Sequence, residues 1–170
     1  GLLVAGVAVL AISAHIKVPF HPVPITMQTL VVMLIGFTYG LRLGSSTVLT
    51  YLVIGAIGAP VFAGGAGLAY MGGPTGGYLF GFLVTVNLIG YFTERGSGRT
   101  FVSVLLLALL GTIVFYLFGV AWLTTILGFE KAIKFGLLPF LYGDVLKLFL
   151  LAFAVPAAWK IVLKLSKSDR

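Results

Sequence analysis

The chain has no cysteine, four acidic residues against eleven basic ones, and charged side chains at only 9% of its 170 positions. Each shortage excludes something. Without cysteine there is no disulfide, no thiolate nucleophile and no sulfur-ligated metal. His15 and His21 have no third ligand at a matching spacing, so no metal and no cofactor are expected. No nucleophile–base set, His-Glu-x-x-His motif or nucleotide loop is present, and no enzyme is expected. Soluble domains are about 25% charged, and this chain has too few charges to cover a water-facing surface. What it has instead is apolar residue, 60% of the chain, with a mean hydropathy of +1.17. That is the composition of an integral membrane protein in the lipid bilayer. The net charge of +7 does not point to nucleic acid, because the basic residues are scattered at the ends of apolar runs, where they act as a topology signal.

Six apolar runs are expected to be helices of one all-α membrane domain spanning residues 1–170, at about 1–16, 25–39, 45–57, 75–92, 100–127 and 139–163. A span needs roughly 20 apolar residues. The second and third runs are short for that, and both flank irregular segments. One is Lys17-Val-Pro-Phe-His-Pro-Val-Pro24, whose prolines preclude a regular helix. The other is the glycine-rich stretch from Gly58 to Pro74. Irregular backbone at membrane depth is tolerated only where protein buries it or where it lines a cavity, so both segments are expected to dip into the protein. The chain opens inside an apolar run with no signal-peptide pattern, and further residues are expected to precede Gly1.

Arg42, Arg95, Arg99, Lys160, Lys164, Lys167 and Arg170 fall at one set of helix ends, and Lys17, Lys131 and Lys134 at the other. The richer set belongs in the cytoplasm. Both termini are then cytoplasmic, and the Pro-rich loop, the Gly-rich loop and the fifth-to-sixth connection face outside.

Asp144 and Lys147 lie inside the sixth run, one helical turn apart. A charge at mid-membrane costs about 2.5–3.5 kcal/mol on insertion scales. The pair reads either as self-neutralising, with Lys147 snorkelling outward, or as a polar binding site for a ligand with both donors and acceptors. Counted from the helix end, it lies roughly 8–12 Å deep in the outer half of the bilayer. Gly64, Gly65 and Gly67 allow close backbone approach, either for helix packing or for a loop that covers a ligand. Thr26 reads as a helix cap. Gln28, an amide inside an apolar run, reads equally as an inter-helix bond or a ligand contact, and Asn87 as a link between helices. Tyr70 and Tyr142 stand out among the outer-side aromatics as candidate pocket walls, against the alternative of an interfacial belt.

Four blocks occur in order: Pro22-Val-Pro-Ile-Thr-Met-Gln-Thr-Leu30, Gly58-Ala-Pro-Val-Phe-Ala-Gly-Gly65, Gly73-Pro-Thr-Gly-Gly-Tyr-Leu-Phe-Gly-Phe82 and Gly143-Asp-Val-Leu-Lys147. Over nearly the whole chain they resemble the BioY family, the biotin-binding S components of energy-coupling factor (ECF) transporters of the prokaryotic cell membrane. The resemblance implies six helices with both termini cytoplasmic and an outward-facing vitamin site under the loops after the first and third helices. It also implies as partners biotin, a transmembrane T component and two ATPase subunits. Asp144 would take the ureido N–H groups of biotin, and Lys147 either the ureido oxygen or the carboxylate. The first helix departs from the family's Ala-x-x-x-Ala pattern, with Ala5, Ala8, Ala11 and Ala14 at three-residue spacing. An autonomous channel or carrier, and an S component for another vitamin, are the alternatives.

Overall fold

A computed structural model describes residues 1–168; Arg170, one of the basic residues in the topology count, lies outside them. The first helix, α1 (Leu2–His15), ends at a two-stranded antiparallel ribbon, β1 (Lys17–Val18) and β2 (Ile25–Thr26), with Lys17 opposite Thr26 and Val18 opposite Ile25. The prolines between the strands form the tip of this ribbon. Helix α2 (Gln28–Ala56) follows, then the short α3 (Gly67–Met71), α4 (Gly76–Glu94), α5 (Phe101–Leu127), a short amphipathic α6 (Phe129–Gly136), a 3₁₀ turn (Leu138–Phe140) and α7 (Leu141–Ser168).

Helix α2 is not one rod. Gly40 breaks it with φ 71° and ψ −166°, a left-handed conformation open mainly to glycine. Gln28 Nε2 lies 2.7 Å from Tyr51 Oη, 23 residues away, a separation that a straight helix would stretch to about 35 Å. The chain therefore reverses at Gly40, and residues 28–39 and 41–56 run back to back. Glu94 completes the turn by accepting the Leu41 N–H at 2.7 Å. The two limbs are about 18 and 24 Å long, short of the roughly 30 Å hydrocarbon core.

Among the described residues four helical segments are long and apolar enough to cross a membrane: Gln28–Ala56, Gly76–Glu94, Phe101–Leu127 and Phe129–Lys164; α1 is apolar but shorter. Lipid offers no hydrophobic drive for helix association, so close packing at small residues does that work. The α2 hairpin seats on α4 at Gly36 against Ile89 and at Gly90 against Gly40. Inter-helix hydrogen bonds add to it. Ser45 Oγ donates to Asn87 Oδ1, the link expected for that amide, and Thr85 donates to the Gly111 carbonyl at 3.1 Å.

Two apolar cores result. One joins Met33, Phe37, Ile89, Val104, Leu107 and Leu151 near the Gly40 turn. The other joins Leu10, Val23, Tyr51, Phe62, Tyr78, Phe82, Phe115, Tyr116 and Phe140 towards the ribbon end. As the prolines and glycines suggest, the irregular segments turn inward: Val23, Phe62 and Ala63 are buried.

Candidate functional site

At the ribbon end the irregular segments enclose a cavity in two parts. The outer chamber, about 630 Å³, is bounded by the ribbon tip from Lys17 to Pro24, by Ala63, Gly64, Ala69 and Tyr70 of the glycine-rich loop, and by Gly73, Pro74 and Thr75 at the entry to α4. That volume lies within the 300–1,000 Å³ typical of small-molecule sites. Below it is a narrow inner chamber of about 30 Å³, walled by Thr26, Gln28, Thr29, Tyr78, Phe82, Phe115, Phe140 and Lys147. Pro24, Ala63 and Thr75 line both, so the two parts adjoin across these residues. Among the described residues no aspartate or glutamate lines either chamber, while Lys17 and His21 line the outer and Lys147 the inner.

Asp144 and Lys147 are brought together on the first two turns of α7, which the 3₁₀ turn delivers into the bundle. They are 5% and 8% exposed, and Lys147 Nζ lies 3.2 Å from Asp144 Oδ1. An ammonium has three donors, and Lys147 gives the other two to the Thr26 carbonyl and Thr29 Oγ1, each at 2.9 Å. The second carboxylate oxygen of Asp144 accepts from Tyr116 Oη. Breaking such a pair by removing one partner is costly because it strands the other charge. The inner chamber reaches Lys147 but not Asp144. The carboxylate sits behind the ammonium and fixes it.

Gln28 is buried and lines the inner chamber. Its amide donates to Tyr51 Oη, which donates in turn to the Val61 carbonyl at 2.9 Å, and this ties the α2 hairpin to the glycine-rich loop. Thr26 Oγ1 accepts the Gln28 N–H at 3.2 Å from its place in β2, so the expected cap is displaced by one residue: the N-cap of α2 is Met27, which makes no side-chain cap bond. Tyr70 stacks on Phe62 with ring centroids 5.4 Å apart, and Phe62 meets Tyr51 edge-on at 5.5 Å. Gly64 and Gly65 lie directly under the Tyr70 ring; a Cβ on Gly65 would come within 2.8 Å of it. Gly67, at φ 81°, starts α3 and does not line either chamber. Tyr70 Oη is buried with no hydrogen-bond partner among the described residues. Such an orphan costs about 1–3 kcal/mol.

One expectation is corrected. Tyr142 is no pocket wall; it is 88% exposed. Two residues along a helix amount to about 200° of rotation, so turning Asp144 inward turns Tyr142 outward. The sequence reading also passed over Tyr116, Thr29 and Lys17. Tyr116 could have been found as the lone phenol in the middle of an apolar helix, where its O–H needs a partner. Lys17 counted only as a flanking charge, yet its Nζ donates to the Ala63 carbonyl and joins the ribbon to the glycine-rich loop.

A family model described as the BioY family matches residues 1–164. The chain belongs to the BioY family. Among BioY relatives, the biotin transporter BioY of Rhizobium etli is 41% identical over 157 residues, covering 86% of this chain and 83% of that one. The biotin transporter BioY of Thermotoga maritima is 38% identical over 151 residues, covering 86% and 88%. A crystal structure of the S-component for biotin from an ECF-type ABC transporter superposes with a TM-score of 0.81 at 30% identity, covering 94% of this chain and 89% of that one. This BioY-family chain is a multi-pass membrane protein.

Proposed function

We propose that the chain is the biotin-binding S component of an ECF-type importer in a prokaryotic cell membrane, one membrane domain over residues 1–170. Its six long limbs, with the α2 hairpin counted as two, cross the bilayer. The termini and the Gly40 turn lie in the cytoplasm, and the two-part cavity opens outward beneath the ribbon and the glycine-rich loop. The basic residues support this orientation, since Arg42, Arg95, Arg99, Lys160 and Lys164 gather at the end opposite the cavity. The observation that carries the reading is the buried Asp144–Lys147 pair, whose ammonium lines a narrow chamber adjoining one of ligand size, in a chain whose relatives are named biotin transporters.

Biotin has a neutral ureido ring with two N–H donors and one carbonyl, a thioether ring, and a valeryl chain ending in a carboxylate. In this reading the ureido ring enters the inner chamber. Lys147 donates to its carbonyl, exchanging one of its present bonds, and Gln28 and Thr29 offer acceptors to its N–H groups. Asp144 acts through Lys147. Tyr78, Phe82, Phe115 and Phe140 receive the bicyclic ring, which requires the narrow chamber to widen. Gly64, Gly65 and Tyr70 form the cover, with Gly67 opening α3 outside the cavity lining. Transport energy comes from a T component and two ATPase subunits.

A thermal-shift panel of vitamins against the purified chain tests this. A ligand at 100 times its Kd stabilises the folded state by about 2.7 kcal/mol, or roughly 5–10 °C in Tm for a chain of this size. Biotin is expected to give that shift, and riboflavin, thiamine and folate none. A shift with another vitamin alone, or solute uptake by liposomes containing only this chain, would overturn the proposal.

A further inference from the structure

The two lysines of the cavity are differently occupied. Lys147 spends all three donors on protein acceptors, one of them Asp144. Lys17 donates to one acceptor among the described residues, the Ala63 carbonyl, and it is exposed at the rim of the outer chamber. An ammonium so placed keeps donors for a ligand. Tyr70, which lines the same chamber, has a buried hydroxyl with no partner among the described residues. No carboxylate among the described residues lines the chamber to compete for either group. At the floor the charges cancel, while at the mouth they do not. A bound anion is therefore favoured at the mouth, and disfavoured beside Asp144 by like-charge repulsion.

We propose that Lys17 and Tyr70 read the carboxylate end of the ligand, which makes the site selective for the free acid over its amides and esters. The inference rests on the biotin reading and fixes the direction in which the ligand lies, ureido ring inward and carboxylate outward. One carboxylate oxygen takes the Lys17 ammonium and the other the Tyr70 hydroxyl. Lys17 lies on β1 directly opposite Thr26, whose carbonyl holds Lys147, so a single ribbon positions the groups that meet both ends of the ligand.

Titration of the purified full chain with biotin and with biotinamide, which differ only at the carboxyl group, tests the inference. The unaltered chain is expected to bind the amide about tenfold or more weakly, the worth of one hydrogen bond to a charged group. Lys17→Met, which also removes the bond to the Ala63 carbonyl, should weaken biotin about tenfold more than it weakens biotinamide, bringing the ratio to about one. Tyr70→Phe should reduce the ratio in the same direction. Lys17→Arg, which keeps the charge, should retain the preference and serves if the methionine variant does not fold. Equal binding of acid and amide by the unaltered chain, or an unchanged ratio in Lys17→Met, overturns the proposal alone. Binding of neither ligand overturns the biotin reading as well.

Discussion

Lys147→Ala is expected to abolish measurable biotin binding and, separately, to destabilise the fold by about 3–5 kcal/mol. The substitution removes the donor at the floor of the cavity and strands the Asp144 carboxylate, 5% exposed, with Tyr116 as its remaining partner. Asp144→Asn strands the ammonium instead and should also lose binding. The two effects can be separated. Replacing both charges with well-packed neutral residues is often neutral or stabilising for a buried pair, so Asp144→Asn combined with Lys147→Met should recover the melting temperature of the unaltered chain and still bind no biotin. Thermal unfolding in detergent and ligand titration read the two quantities. Normal affinity in both single variants would remove the pair from the site.

Gly90→Ala is expected to be as damaging without touching the cavity. A Cβ there would lie 2.6 Å from the Gly40 carbonyl carbon, 2.7 Å from Leu41 N and 2.8 Å from Gly40 O. These are backbone atoms of a turn held by φ 71° and by Glu94, and they cannot swing aside as a side-chain end can. Overpacking costs about 1–3 kcal/mol where the surroundings relax, and this site should reach the upper end or beyond. Gly143→Ala, with nothing within 4 Å of the added carbon, is the control and should melt with the unaltered chain. The expected readout is a lowered Tm and loss of monodisperse protein for Gly90→Ala alone; equal melting of the two variants would refute the packing account.

What could be read from the chain follows from what lipid enforces. Long apolar runs must be helical, because no water is available to satisfy free backbone groups, and α4, α5 and α7 emerge near the expected positions. Gly40, which ends the second run, is the break at which α2 doubles back. The prolines and glycines mark the irregular backbone around the cavity because only such residues fit it. Contacts between distant segments were not legible. Nothing local to Lys147 says that its ammonium reaches Thr26 and Thr29, more than a hundred residues earlier, or that Asp144 retreats behind it. Tyr142 misled because closeness in sequence is not closeness around a helix. Helices α3 and α6 are too short to register as runs.

The narrow inner chamber also bears on how the protein behaves between cargoes. A water needs about 10–15 Å³ of such space, so about 30 Å³ holds two or three molecules. A proton wire across a 30 Å hydrocarbon layer needs an unbroken file several times longer. The packed rings of Tyr78, Phe82 and Phe115, which wall the chamber, leave no room for such a file there. Under the proposed function, the described residues hold no such water file when the site is empty, so idle copies in a membrane should not leak protons by that route.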